Sequence, residues 1–466
     1  MKSIGGNVFL ALIVLLLILI AGLYVVVGYV LPHEMENVSA VIVIAAVGIA
    51  IYRSGIQGYP FWITIITAYP VIAPYIVREF MGFPHYSGRA LGFQEQLIEI
   101  EPMFIAALSS LFLALSISNK KIKLASPLFR ESASTGDGYI TWLGLASLIM
   151  IFMVWLTEPG PLIGVTSYED MRSYRIPGTE FAGAAWVVFA VANLGIYLAI
   201  MARSTGKVRK LASWIYWGGI LFSVAYLLMH ARRSEVSGYM IVLLCIFGPI
   251  LSRWKVIVLG SIMIFALSII GYVRDPVVLP VDNKIQSYAH LPGAPGNILI
   301  GYIVAYELVD RGDISIVPGE TYLGQIERIL PAAFGLQRPA IAYDHVYEKV
   351  ALSGGEFYLI EPYMNFGVPG IVAFLAGLAL LLNWAIDVIA RYAGNPVGLP
   401  RFIIAGTFSA MLFRTLWYGI GATVKAMIIA AAIGFLIALV VYSVKRSRGV
   451  FTNAVPGKSF HGLGRL

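Results

Sequence analysis

Apolar runs of about 20 residues, the length that crosses a bilayer as a helix, recur from one end of this 466-residue chain to the other. Twelve candidate spans centre on 8–31, 38–52, 60–77, 101–118, 139–156, 181–202, 211–229, 237–251, 256–273, 366–388, 401–419 and 423–444. One polar stretch, Arg274 to Ile360, breaks the series and holds most residues able to do chemistry. The pattern predicts an all-α polytopic membrane protein with about twelve transmembrane helices and a large, partly helical outer loop. Residues 1–273 form a membrane domain of nine spans, 274–360 the loop, 361–448 the last three spans and 449–466 a tail. Within the loop, Ile298 to Val309 is too short and interrupted to span, and reads as an interfacial or re-entrant helix. Thr321 to Leu330 sets Leu323, Ile326, Ile329 and Leu330 at helical spacing, and Pro331 ends the run. A long loop with helices of its own suits a lid over a substrate better than a linker.

Composition supports this reading. Mean hydropathy is +0.82 and 12% of residues are charged, too few for the surface of a soluble protein of this size. The run Val8 to Val30 is too long for a signal-peptide core and lacks a small-residue cleavage site, so it counts as a span. Cys245, the single cysteine, lies in an apolar run, which excludes an internal disulfide framework and a Cys-based metal site.

Charge sets the direction of the spans. With the N-terminus in the cytoplasm, the inner loops carry Arg53, Lys120, Arg209, Lys210, Arg253, Arg391, Arg401 and the Lys445, Arg446 and Arg448 cluster, while 22 of the 25 acidic residues fall outside. That asymmetry follows the positive-inside rule and places both termini inside. The basic residues on the outer side are mostly arginines, whose planar guanidinium stays charged and binds phosphate or carboxylate in a two-pronged fashion. Arg232 and Arg233 lie together in the tight turn HARRSE, where adjacent like charges near lipid call for an anion or water between them. Arg414 and Lys425 lie inside consecutive apolar runs at similar depth, as snorkelling cations or as an anion site lined from below.

The segment GGEFYLIEPYMNFGVPGIVAFLAGLALLL carries an acidic residue and Tyr through Asn-Phe-Gly into a Gly-punctuated span. Together with the twelve-span plan, the large late outer loop and ARRSEVSGYMI at the start of a span, it resembles Wzy-type oligosaccharide repeat-unit polymerases, relatives of the O-antigen ligase-like membrane glycosyltransferases. Arg172, separated by ten residues from Gly183, fits an Arg-x10-Gly pattern seen in outer loops of some members, although the fifth outer loop has no second match.

The resemblance implies a GT-C-like membrane fold and a metal-independent glycosyltransferase with no cofactor. Such an enzyme transfers a growing glycan from polyprenyl pyrophosphate to the distal sugar of a new lipid-linked repeat unit, at the outer face of the cell (inner) membrane. Its expected partners are polyprenyl-pyrophosphate-linked oligosaccharide, the bilayer and, by family analogy, a chain-length-regulating protein; no nucleic acid is expected. Arg232, Arg233, Arg274, Arg328, Arg414 and Arg172 are the candidates for the pyrophosphate. His345 is the first choice of general base, with Glu356 and Glu361 next and His290 as a rival. Glu320, Tyr322, Tyr363 and Asn365 are candidate glycan contacts, with Glu361, Tyr363 and Asn365 equally suited to capping the helix that follows. Three alternatives stand beside the polymerase. One is an O-antigen ligase-like transferase. Another is a metal-dependent transferase of polyprenyl-phosphate sugars with Glu34 and Glu36 as ligands. The third, a lipid-glycan transporter or flippase, would be expected to carry midplane polar groups and repeat symmetry, and this chain concentrates its polar residues on one side.

Overall fold

The computed structural model describes residues 32–81, 101–120, 182–203, 206–229, 233–262, 296–315, 318–327 and 357–447, with isolated positions between 145 and 156. Regular structure among the described residues is helical throughout: α1 (Pro32–Ser54), α2 (Tyr59–Met81), α3 (Glu101–Ser116), α4 (Ala182–Arg203), α5 (Gly206–Met229), α6 (Arg233–Phe247), α7 (Gly296–Asp310), α8 (Glu320–Glu327), α9 (Ile360–Tyr392), α10 (Leu399–Tyr418) and α11 (Gly421–Ser447). A short 3-10 turn, Gly248–Ile250, extends α6. Among the described residues, four stretches are long and apolar enough to cross a membrane: Ala182–Ala202, Ile360–Tyr392, Pro396–Trp417 and Gly421–Ser443. The chain is thus an all-α, multi-helix protein of the kind expected for a polytopic membrane protein. Of the twelve expected spans, the first, 8–31, and most of 139–156 and of 256–273 lie outside the described residues.

Helix α10 is the hub, packed against α11, α6, α9 and α4. Of the apolar window of α4, 78% is buried inside the bundle, against 28% for α11, so α4 is core and α11 offers its apolar side to its surroundings. Lipid is the medium that accepts such a face: Ile428, Phe435, Leu436 and Leu439 of α11, like Leu380, Leu381 and Trp384 of α9, are exposed. Small residues bring helices close. A Cβ on Gly238 would overlap the Ala410 carbonyl oxygen, so this position lets α6 cross directly over α10.

The two ends of the bundle differ in chemistry. At one, Arg53 donates to the carbonyls of Ala114 and, at 2.5 Å, Leu115, which are left open at the C-terminus of α3. Asn383 of α9 joins the same corner, accepting from Ser118 N at 2.5 Å and donating to Ser116 O at 2.9 Å. Lys120 pairs with Asp387 at 2.9 Å, and Arg401 donates to the Tyr392 hydroxyl at 2.5 Å. These are residues that the charge pattern groups on one side. At the opposite end, the Tyr358 amide donates to Leu416 O at 3.2 Å, tying the entry to α9 to the last turn of α10.

Helix α7, at 15 residues, is as short as the sequence suggests for 298–309. Leu299, Tyr302, Ile303, Val304 and Ala305 are buried and α7 packs against α9, α2 and α3, which leaves the re-entrant alternative rather than a helix lying on the surface. It is a component of the core at the end where the long loop joins the spans.

Candidate functional site

The site begins with a break in α9. Gly367 has φ 64° and ψ −153°, a conformation essentially reserved for glycine. Two residues later Pro369 offers no N–H to the preceding turn. The chain then folds back so tightly that a Cβ on Gly370 would collide with the Pro362 carbonyl oxygen. The segment Asn-Phe-Gly-Val-Pro-Gly therefore separates the turn 360–366 from the spanning part of the helix.

That detached turn carries three of the sequence candidates. Glu361 is 5% exposed and Asn365 fully buried. The Thr321 hydroxyl of α8, itself buried, donates to Glu361 Oε2. Asn365 Nδ2 donates to Thr321 Oγ1 at 2.5 Å and to the Glu361 carbonyl at 2.7 Å, with Glu361 Oε2 at 3.4 Å. These oxygens fix the amide's orientation, because a flipped Asn365 would turn its own oxygen toward the Glu361 carbonyl and carboxylate. Asn365 Oδ1 consequently points away from the cluster and has no partner among the described residues. A buried acceptor of this kind is costly unless a donor meets it.

Aromatic rings surround the cluster. Tyr363 is buried, stacks on Tyr306 with centroids 4.8 Å apart and meets Tyr302 edge-on at 6.1 Å. Tyr322, half-buried on α8, stacks on Phe366 at 6.3 Å. Glu320, at the start of α8, is exposed. Glu361, Asn365, Thr321 and Tyr363 are buried and dock α8 onto the first turn of α9, so a polyhydroxylated ligand would reach the outer edge of the cluster, the exposed Glu320 and the half-buried Tyr322.

The second group lies at the same end of the bundle, two residues before the Leu416 that accepts from Tyr358. Arg414 forms an ion pair with Glu235 of α6 and reaches Ser234 Oγ at 3.4 Å. The Ser234 hydroxyl donates to the other carboxylate oxygen, Oε2, at 2.6 Å. Arg414 is thus neither a plain snorkelling cation nor a lone anion receptor, since it bridges two helices through a buried carboxylate. Helix polarity favours the arrangement: Glu235 sits in the first turn of α6 and Arg414 in the last turns of α10.

No family model, curated protein or solved structure matches this chain. Function must therefore be argued from the residues.

Of the proposed pyrophosphate ligands, Arg233 opens α6, while Arg172, Arg232, Arg274 and Arg328 lie outside the described residues. So do His345, Glu356 and His290. Glu34 and Glu36 fall in the first turns of α1. Among the described residues, no group of three or more His, Cys, Asp or Glu is placed to hold a metal ion. Thr321 and Glu235 are site residues that the sequence pattern does not single out. The available signal is an acidic residue opening one apolar helix and an arginine closing another at matching depth.

Proposed function

We propose that this chain is a membrane glycosyltransferase that polymerises lipid-linked oligosaccharide repeat units, taking the growing glycan from polyprenyl pyrophosphate and joining it to the distal sugar of a new unit at the outer face. The observation that supports this best is the buried Thr321–Glu361–Asn365 cluster. It fastens a helix of the long polar loop to a broken spanning helix, and it leaves a buried acceptor beside aromatic rings at the bundle end that also holds Arg414.

In this reading the glycan hydroxyls contact Glu320 and Tyr322, which the buried Thr321–Glu361–Asn365 cluster and Tyr363 hold in place, and the donor's pyrophosphate meets Arg414 with arginines of the neighbouring loops. A base removes the proton from the acceptor hydroxyl as its oxygen bonds to the donor's anomeric carbon. The bond from that carbon to the pyrophosphate oxygen breaks, and the charge left on the pyrophosphate is stabilised by guanidinium groups. His345 is the first candidate base, with Glu356 and the buried Glu361 after it. The positive end that holds Arg53, Lys120 and Arg401 would face the cytoplasm.

Purified protein incubated with lipid-pyrophosphate-linked repeat units, with and without EDTA, tests this directly. A ladder of polymer that survives chelation is the expected result. His345→Ala should lower polymerisation by at least about a hundredfold while donor binding persists. If Glu356→Gln or Glu361→Gln abolishes the ladder and His345→Ala does not, the base is that carboxylate. Turnover abolished by EDTA would replace this reading with a metal-dependent transferase, and no ladder under any condition would refute polymerisation.

A further inference from the structure

The pair formed by Arg414 and Glu235 is asymmetric in a way that bears on how tightly an anion is held. The Glu235 side chain is 2% exposed, whereas that of Arg414 is 31% exposed. Each oxygen of the carboxylate has its own donor, Arg414 on Oε1 and Ser234 on Oε2, so the negative charge is fixed in position. An anion that approaches the exposed part of Arg414 meets the guanidinium's attraction and, a few ångströms behind it, a carboxylate that does not leave.

We propose that Glu235 is a resident counter-charge that limits how tightly Arg414 holds the pyrophosphate of the lipid donor, so that the lipid pyrophosphate is released after transfer. This rests on the donor reading given above. The chemistry of the transfer supplies the reason. When the bond between the anomeric carbon and the pyrophosphate breaks, the terminal phosphate keeps the bonding electron pair and gains negative charge. A purely cationic site would then bind product more tightly than substrate, and product release would limit turnover. A fixed carboxylate beside the guanidinium opposes this, because its repulsion grows with the charge of the ligand.

The alternative role for Glu235, orienting Arg414 for the ligand, differs in sign. Loss of an orienting group weakens binding, whereas loss of a counter-charge strengthens it. Removal of one like charge a few ångströms from a bound anion is worth on the order of the roughly 1.4 kcal/mol that a tenfold change in affinity represents.

The test is binding of farnesyl pyrophosphate to the full chain in detergent, with farnesol as the uncharged control. Glu235→Gln keeps the side chain's size and one oxygen for Arg414, and it should tighten farnesyl pyrophosphate about tenfold and slow its dissociation, with farnesol unchanged. Ser234→Ala removes a hydrogen bond without altering charge, and should change affinity by less than about twofold. Glu235→Ala removes the same charge with a smaller side chain and should also tighten binding, which keeps the proposal testable if Glu235→Gln does not fold. Unchanged or weaker binding by Glu235→Gln overturns the counter-charge while leaving the donor reading intact. Equal tightening by Ser234→Ala overturns it too, since loosening rather than charge would then be the cause. Unchanged binding by Glu235→Ala has the same force. A wild-type protein that binds farnesyl pyrophosphate no better than farnesol refutes the donor reading and this proposal with it.

Discussion

Thr321→Val removes one hydroxyl from the candidate site and leaves its shape almost unaltered. In the native protein that hydroxyl donates to the buried Glu361 carboxylate and accepts from Asn365 Nδ2. Valine abolishes both bonds, but Asn365 keeps its bond to the Glu361 carbonyl, so the main loss is the donor to the carboxylate. A hydrogen bond to a charged group contributes about 1.5–3 kcal/mol. The stacking of Tyr322 on Phe366, a second link between α8 and α9, is worth about 0.5–1.5 kcal/mol. The polar contact is therefore the stronger of the two. Eight residues are too few to remain helical alone, so α8 depends on its docking.

A loss of about 2 kcal/mol raises the undocked population roughly thirtyfold. Hydrogen exchange of the amides of α8 should accelerate by about that factor, while the amides of α4 and α10 exchange as before. Thr321→Ser, which restores the hydroxyl, should recover most of the protection. If the cluster holds the glycan site together, polymerisation falls in Thr321→Val and returns in Thr321→Ser. Native-like exchange of α8 in Thr321→Val would refute the argument, as would acceleration spread evenly through the bundle.

Three further outcomes are expected. Gly367→Ala places a side chain on a backbone at φ 64° and ψ −153° and should destabilise the protein by about 1–3 kcal/mol, visible as a lower Tm in detergent; an unchanged Tm would show that the break in α9 is not required. Trp417→Phe preserves a ring next to Tyr69 but removes the indole N–H that donates at 2.9 Å to Ile66 O, a carbonyl deprived of its helical partner by Pro70. About 1 kcal/mol of stability should be lost, and equal Tm values would refute it. Cysteines introduced at Lys207 and Lys284 should react with impermeant reagents from opposite sides of the membrane, with the native Cys245 silent because it is buried; labelling from the same side would overturn the assignment of faces.

The apolar helices are legible because hydrophobicity is a local property of the chain. The apolar run at 101–118 corresponds to the helix Glu101–Ser116, and that at 423–444 to Gly421–Ser447. Hydropathy puts the start of α9 at 366, six residues beyond its true start at 360. Glu361, Pro362 and Asn365 disguise that first turn as loop, and it is helical because the polar side chains are buried against α8 and the break at Gly367 isolates it from the span. Thr321 shows the same effect from the other side. Nothing around it distinguishes it from any helix-start threonine, and its importance comes from a carboxylate 40 residues farther along.

The pairing of Arg414 with Glu235 is hidden for a deeper reason. Hydropathy treats each charge in an apolar run as an isolated cost, and on that basis Arg414 calls for either a route to water or an external anion. The cost changes when a second buried charge lies against the first, because each then compensates the other's desolvation. Such compensation is a property of two helices that meet 179 residues apart in sequence, α6 through its first turn and α10 near its last. Their mutual approach depends in turn on Gly238, whose missing side chain lets α6 lie on the Ala410 carbonyl one helical turn from Arg414. A bulkier residue at 238 would push the helices apart and leave both charges buried or half-buried without their partner, so an uncharged position governs the electrostatics of the candidate anion site.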